Sequence, residues 1–137
     1  GEGACVNSVE GEGRPGGEGI YGVSNASLDT PWPKVVSGKN TFSQILKSGL
    51  SLKEGRMLDA MAEDAIPPDD ALPDTGIELE WERALGPIFV KAEIYGTRTT
   101  TLVTLGKDGT QMLRERSWNV EEEGGAGPSE VVYRYQS

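Results

Sequence analysis

Residues 97–118 leave the backbone few choices. Thr97 to Leu105 is a run rich in Thr, Val and Leu, which fit the pleated, half-buried surface of a strand. Gly106-Lys107-Asp108-Gly109 then supplies residues that tolerate a positive φ, and Thr110 to Trp118 returns as a second β-prone run. Two such runs around such a turn fold as an antiparallel hairpin. After the Gly-rich segment Gly124 to Pro128, a third run alternates, with Val131, Tyr133 and Tyr135 on one face and Val132 and Arg134 on the other. The Val131 face is expected to pack. The short apolar piece Pro87 to Lys91 is expected as a further strand.

The first half carries helix signals. Thr41-x-x-Gln44 and Ser51-x-x-Glu54 both match the capping box, in which a hydroxyl and an amide or carboxylate satisfy the free N–H groups of a helix start. Phe42, Ile45 and Leu46 would line one face of the first helix, ended by Gly49. Leu58, Met61, Ala62 and Ala65 would line the second, ended before Pro67-Pro68. Upstream, Ile20 to Asn25 reads as a short strand and Asp29 to Lys34 as a turn stiffened by Pro31 and Pro33. Two helices followed by paired strands give the α+β class with an antiparallel sheet.

Between Asp59 and Glu82 there are nine acidic residues and no Lys or Arg, with Pro67, Pro68 and Pro73 among them. The expectation is a solvated linker rather than a metal site, because the prolines keep the carboxylates from converging on one point. This stretch carries most of the net charge of −9, which disfavours nucleic acid and anionic membrane as partners. No apolar run reaches the roughly 20 residues that span a bilayer, and Gly1 to Gly3 lack the build of a signal peptide, so the chain reads as soluble. Its 137 residues match one domain.

Histidine is absent and Cys5 is the single cysteine, which excludes an internal disulfide, a Ser-His or Cys-His pair and the usual zinc sites. Residues 1–18 form a flexible or truncated lead-in, with seven glycines up to Gly19 and one strand-like piece, Ala4-Cys5-Val6. Cys5, four residues from the start, reads as a buried strand cysteine rather than a nucleophile.

Two longer blocks carry a resemblance. Gly19-Ile20-Tyr21-Gly22-Val23-Ser24-Asn25-Ala26-Ser27-Leu28-Asp29-Thr30-Pro31-Trp32-Pro33-Lys34-Val35, with Gly38-Lys39, and Tyr95-Gly96-Thr97-Arg98-Thr99-Thr100-Thr101-Leu102-Val103, with Asp108-Gly109 and Glu115-Arg116-Ser117-Trp118, resemble the TANGO2 (NRDE) family. Leu72-Pro73-Asp74-Thr75-Gly76 and Pro87-Ile88-Phe89-Val90 sit between them in the family's order. The resemblance runs from Gly19 to the C-terminus and implies the C-terminal half of a layered, N-terminal-nucleophile-hydrolase-like (αββα) domain over residues 19–137. The family's Met-Cys start and its Asn-Arg-Asp-Glu stretch do not occur here, so no catalysis is expected of this chain alone.

The resemblance implies a role in haem trafficking or in acyl-lipid and acyl-CoA homeostasis, in the cytoplasm or mitochondria. A haem site would have to draw on Cys5, Met57, Met61, Met112 and the tyrosines. Two further readings stand beside it: half of a Cys-dependent amide or ester hydrolase, and an interaction subunit of a larger assembly. In either case another chain is expected to complete the sheet. More remotely the family resembles cholylglycine and penicillin acylases, and that likeness points to Asn25 and Arg98 as groups facing a substrate carbonyl or an anion, around a cavity bordered by Trp32 and Thr97. Asn25 could equally cap the Leu28 to Pro33 turn, Arg98 pair with Glu115, and Trp32 anchor the turn to the core. A fatty-acyl carboxylate, a CoA phosphate or a haem propionate would each suit such an anion site.

Overall fold

The computed structural model describes residues 3–6, 13–49, 53–118 and 127–136. The elements run β1 (Gly3–Val6), β2 (Gly13–Gly16), α1 (Pro33–Lys47), α2 (Lys53–Ala60), a 3-10 turn (Asp69–Ala71), α3 (Leu79–Leu85), β3 (Thr99–Leu105), β4 (Thr110–Ser117) and β5 (Ser129–Gln136). The α+β class holds, with three helices where the sequence announced two. Among these elements no helix is long and apolar enough to cross a membrane.

Helix α1 begins eight residues ahead of the Thr41 capping box. Pro33 occupies the first helical position, where its fixed φ suits the helix and its missing N–H costs nothing. The ring also holds Trp32 extended, at φ −64° and ψ 147°, and the Trp32 carbonyl accepts from the N–H groups of Val35 and Val36 at 2.9 and 3.0 Å. The supposed rigid turn is therefore the helix start. Val35, Gly38, Phe42 and Ile45 recur at helical spacing, and Val35 and Ile45 are buried. The end came out as expected: Ser48 N–H donates to the carbonyls of Gln44 and Ile45, and Gly49 follows at φ 68°.

Helix α2 is shorter than its apolar pattern suggested, and Ser51 of its capping box lies outside the described residues. Among the described residues Leu58 is the large side chain that is fully buried, at 1% exposure. The helix stops at Ala60, leaving Met61 and Ala65 exposed. Beyond it the backbone finds other partners: Glu63 carbonyl accepts from Phe89 N–H at 2.8 Å, and Glu63 Oε1 accepts from Ala65 N–H at 3.0 Å.

The acidic stretch is not a free linker. Arg83 on α3 donates to both oxygens of Asp69, at 2.8 and 2.6 Å, and the buried Glu82 accepts from Thr75 N–H at 2.8 Å and Thr75 Oγ1 at 2.5 Å. Asp64 pairs with Lys91 at 2.6 Å and Asp59 with Arg116 at 2.8 Å. The stretch is solvated as expected, with eight of its nine acidic residues exposed, yet Asp59, Asp64 and Asp69 each find a basic partner by folding.

Strands β3, β4 and β5 form one antiparallel sheet in that order. The β3–β4 turn closes through Gly106 N–H to Thr110 carbonyl at 2.7 Å and Asp108 Oδ1 accepting from Thr110 N–H at 3.0 Å, with Gly109 at φ 84°. Register sets Thr100 opposite Arg116 and Arg116 opposite Glu130 on the inner face. There Glu130 accepts from Arg114 and Arg116, and Arg116 reaches on to Asp59 of α2, tying sheet to helix. Trp118 packs edge-on against Phe89, ring centroids 4.7 Å apart.

Three expectations change. Tyr133, Tyr135 and Val131 stand on the outer face and are 52%, 61% and 48% exposed, whereas the Arg116–Asp59 pair ties the opposite face to α2. Pro87 to Lys91 is no strand but an irregular segment closed by a Lys91–Gly96 bridge. Ile20 to Asn25 is a loop rather than a strand. Within the expected lead-in, β1 and β2 pair, with Cys5 opposite Arg14; the burial of Cys5 falls outside the described side chains.

Candidate ligand-binding cleft

The loop from Gly22 to Asp29 is clamped at its base. Asp29 N–H donates to Gly22 carbonyl at 2.7 Å, and Asp29 Oδ1 accepts in return from Gly22 N–H at 2.8 Å. Lys39 Nζ, one turn along α1 from Val35, donates to the same oxygen at 2.7 Å. Together the Lys39 ammonium and the Gly22 N–H hold the Asp29 carboxyl below its ordinary value. Asp29 sits at φ 60°, a left-handed backbone that Asp adopts more readily than most residues. Gly22 is required by proximity: a Cβ there would lie 2.8 Å from Val35 Cγ1. The loop thus lies directly on α1.

This clamp leaves two cavities. One, of about 380 Å³, is lined mainly by Ile20, Tyr21, Val35, Phe42, Met61 and Ile88. The other, of about 300 Å³, is bordered by Asn25, Trp32, Thr75, Ile77, Glu82 and Leu85. Lys34 lines both. Its ammonium donates to Leu85 carbonyl at 2.8 Å, at the C-terminal end of α3, and lies 6.0 Å from the centre of the Trp32 ring. Burial pushes its pKa down, partly offset by the field of Glu82. Glu82 is committed to Thr75, and among the described residues Lys34 forms no ion pair, unlike Lys39 with Asp29 and Lys91 with Asp64.

An ammonium has three donors. Lys34 spends one on Leu85, leaving two for an anion. It also stands in the first turn of α1, where the helix dipole disfavours a cation and favours an anion. The chemistry on offer is capture of a negative group beside an apolar wall. Among the described residues, no group of three His, Cys, Asp or Glu side chains is placed to hold a metal ion.

Of the four residues singled out from the sequence, the structure brings Asn25 and Trp32 together at the second cavity. Thr97 and Arg98 line neither cavity. Thr97 Oγ1 accepts from Val90 N–H at 3.0 Å, and its N–H donates to Val90 carbonyl at 2.9 Å. Arg98 precedes β3 rather than lying inside the sheet. It is exposed, its carbonyl accepts from Trp118 N–H at 2.8 Å, and its guanidinium has no partner among the described residues. Glu115, the alternative partner, accepts from Thr101 Oγ1 at 3.1 Å.

Lys34, Asp29, Gly22 and Glu82 were not singled out. One signal for Lys34 was available: a cation directly after a proline at a helix start opposes the dipole and asks for a reason.

A protein-family model described as Transport and Golgi organisation 2 matches residues 3–120. The chain is 33% identical over 106 residues to the Transport and Golgi organization protein 2 homolog of Bos taurus, covering 72% of this chain and 38% of that protein. Its counterparts in Mus musculus and Homo sapiens are each 31% identical over 106 residues, with the same coverage. The chain therefore spans 38% of the length of the curated relatives it matches. Strand β5 lies beyond the matched residues.

Proposed function

The chain belongs to the Transport and Golgi organisation 2 family, and from that premise we propose that it contributes a binding cleft for an amphipathic anion. The carrying observation is the half-buried Lys34 ammonium, without an ion-pair partner among the described residues, which sits beside Leu85 and Trp32 at the cavity of about 300 Å³, while Lys34 also lines the apolar cavity of about 380 Å³. That volume falls within the range of small-molecule sites, roughly 300–1,000 Å³. An acyl carboxylate or an acyl-CoA places a chain against Phe42, Met61 and Ile88 and a negative group at Lys34. A haem propionate meets the same requirement, and the family likeness that suggests haem trafficking or acyl-lipid homeostasis, in the cytoplasm or mitochondria, supports these ligand classes. The cleft binds and positions; no catalytic role is assigned to this chain.

The same reading makes the three-stranded sheet one layer of an αββα arrangement. Its exposed outer face, with Val103 and Leu105 at 58% and 74% exposure, supports a further layer or chain packing there. Asn25 and Arg98 remain candidates for contact with the polar end of a ligand that extends out of the cleft.

The test is titration of the pure chain with palmitate, palmitoyl-CoA and haemin, followed by tryptophan fluorescence and calorimetry. Saturable binding of at least one is expected, with mutual competition between any that bind and none for neutral hexadecanol. Equal binding of hexadecanol, or none of any probe, contradicts an anion site.

A further inference from the structure

Strand β5 has a free edge among the described residues. Strand order β3-β4-β5 leaves one side of Ser129–Gln136 unpaired among the described residues, and Val131, Val132, Tyr133 and Tyr135 on it are 48%, 40%, 52% and 61% exposed. A row of open backbone donors and acceptors flanked by Val and Tyr is a template for another strand.

Which strand fits is decided by geometry and charge. On the inner face β5 carries Glu130, Val132 and Arg134, aligned with Arg116, Arg114 and Met112 of β4. Glu130 accepts from both Arg114 and Arg116 of β4 and is open on its other side, while the Arg134 guanidinium has no partner among the described residues. In an antiparallel ladder opposed residues point to the same face, so two copies of β5 related by a two-fold axis align only residues of like parity. Among such registers, the one placing Val132 opposite Val132 of the partner copy pairs seven residues, Ser129–Tyr135, from each strand. It sets Arg134 opposite Glu130 of the partner copy, twice. On the outer face it sets Val131 opposite Tyr133 of the partner copy, also twice. Shifting by two residues loses both charge pairs.

We propose that β5 is a homodimer edge: two copies pair antiparallel through Ser129–Tyr135 about Val132, joining two three-stranded sheets into one of six strands. Each Glu130 then lies between Arg116 of its own chain and Arg134 of the partner copy, an alternation of sign along the row. The outer-face apolar row Val103, Leu113, Tyr133 continues across the seam to Val131 of the partner copy. The net charge of −9 per copy opposes association at long range, but charges beyond about 8 Å are screened at physiological salt, and the edge carries one acid and one base. The inference sharpens the partner expected for the sheet and is independent of the Lys34 cleft.

Sedimentation equilibrium of the pure chain from 1 to 200 µM tests the association, and cysteine cross-linking tests the register. A monomer–dimer equilibrium is expected, weakened at least tenfold by Arg134→Glu and little changed by Arg134→Lys. In a Cys5→Ser background, Val132→Cys is expected to form an interchain disulfide under mild oxidation at least ten times faster than Val131→Cys. A monomer throughout, unaltered dimerisation of Arg134→Glu, or equal cross-linking at both positions would overturn the proposal. A monomer would still leave open a different chain on the sheet, and ligand titration of the cleft would be unaffected.

Discussion

The sheet and the cleft are held together by different physics. In β3, β4 and β5 the periodicity of two that makes a strand also decides its faces, and the inner face is cross-linked by charge, Arg114 and Arg116 onto Glu130 and Asp59. The cleft has almost no regular structure on its loop side. It stands because single groups do several jobs: Asp29 binds Gly22 and Lys39, Glu82 takes both donors of Thr75, and Lys34 joins the first turn of α1 to the last of α3. A repeated pattern tolerates the loss of one member. A clamp made of single residues does not, and that is where local changes should have local, functional consequences.

The largest effect should come from the residue that serves both regions. Leu58 is 1% exposed on α2, the helix between α1 and the sheet. Leu58→Ala is expected to cost about 2–5 kcal/mol by lost transfer energy and the cavity left behind, read as a shift in urea midpoint with both regions unfolding together. Separate transitions would show that the two regions fold independently.

Next is Gly22→Val, which drives a branched side chain into Val35. Overpacking of this kind costs about 1–3 kcal/mol. Amide exchange should quicken in residues 20–30 and leave β3 and β4 unchanged. Uniform protection would contradict the close approach of loop and helix.

Acid sharpens the comparison further. Asp29 in the cleft and Glu130 in the sheet are both held below their ordinary values of 3.8 and 4.5, by Lys39 and Gly22 in the first case and by Arg114 and Arg116 in the second. A depressed carboxyl contributes stability that is fully present above its unfolded value and is lost as pH falls through its folded value. Stability should therefore be flat from pH 7 to about pH 5 and decline below about pH 4. Asp29→Asn should remove the part of that decline reported by tryptophan emission, since Trp32 borders the cleft. Glu130→Gln should remove the part reported by far-ultraviolet dichroism of the sheet. A rise in stability on acidification would reverse the sign of the argument.

The same contrast explains what could be read in advance. The hairpin of Thr99–Ser117 was legible because alternation, turn glycine and strand propensity all act within a few residues. The start of α1 was not, since Pro33 at the first helical position and the Thr41 capping box are both valid start signals, and only packing chose between them. Helix α3 was hidden by its charge: Glu82 looks solvated until Thr75, seven residues back, folds onto it. Lys34 meets its carbonyl partner 51 residues away, a distance over which composition says nothing. Of the residues named for a site, Trp32 and Asn25 line the cavity of about 300 Å³, while Arg98 and Thr97 line neither cavity.

The most direct test of the account is therefore Lys34 itself. Calorimetric titration of wild type and Lys34→Met with palmitate, in two buffers of different ionisation enthalpy at each of several pH values from 8 to 10.5, reads affinity and proton uptake at once. Burial has lowered the Lys34 pKa from 10.5, so an anion bound beside the ammonium should raise it again and draw in protons. Wild type is expected to bind with net proton uptake, and Lys34→Met to fold normally but bind about tenfold more weakly, roughly 1.4 kcal/mol, with no uptake. Equal affinity and equal proton uptake in the two proteins would contradict that expectation.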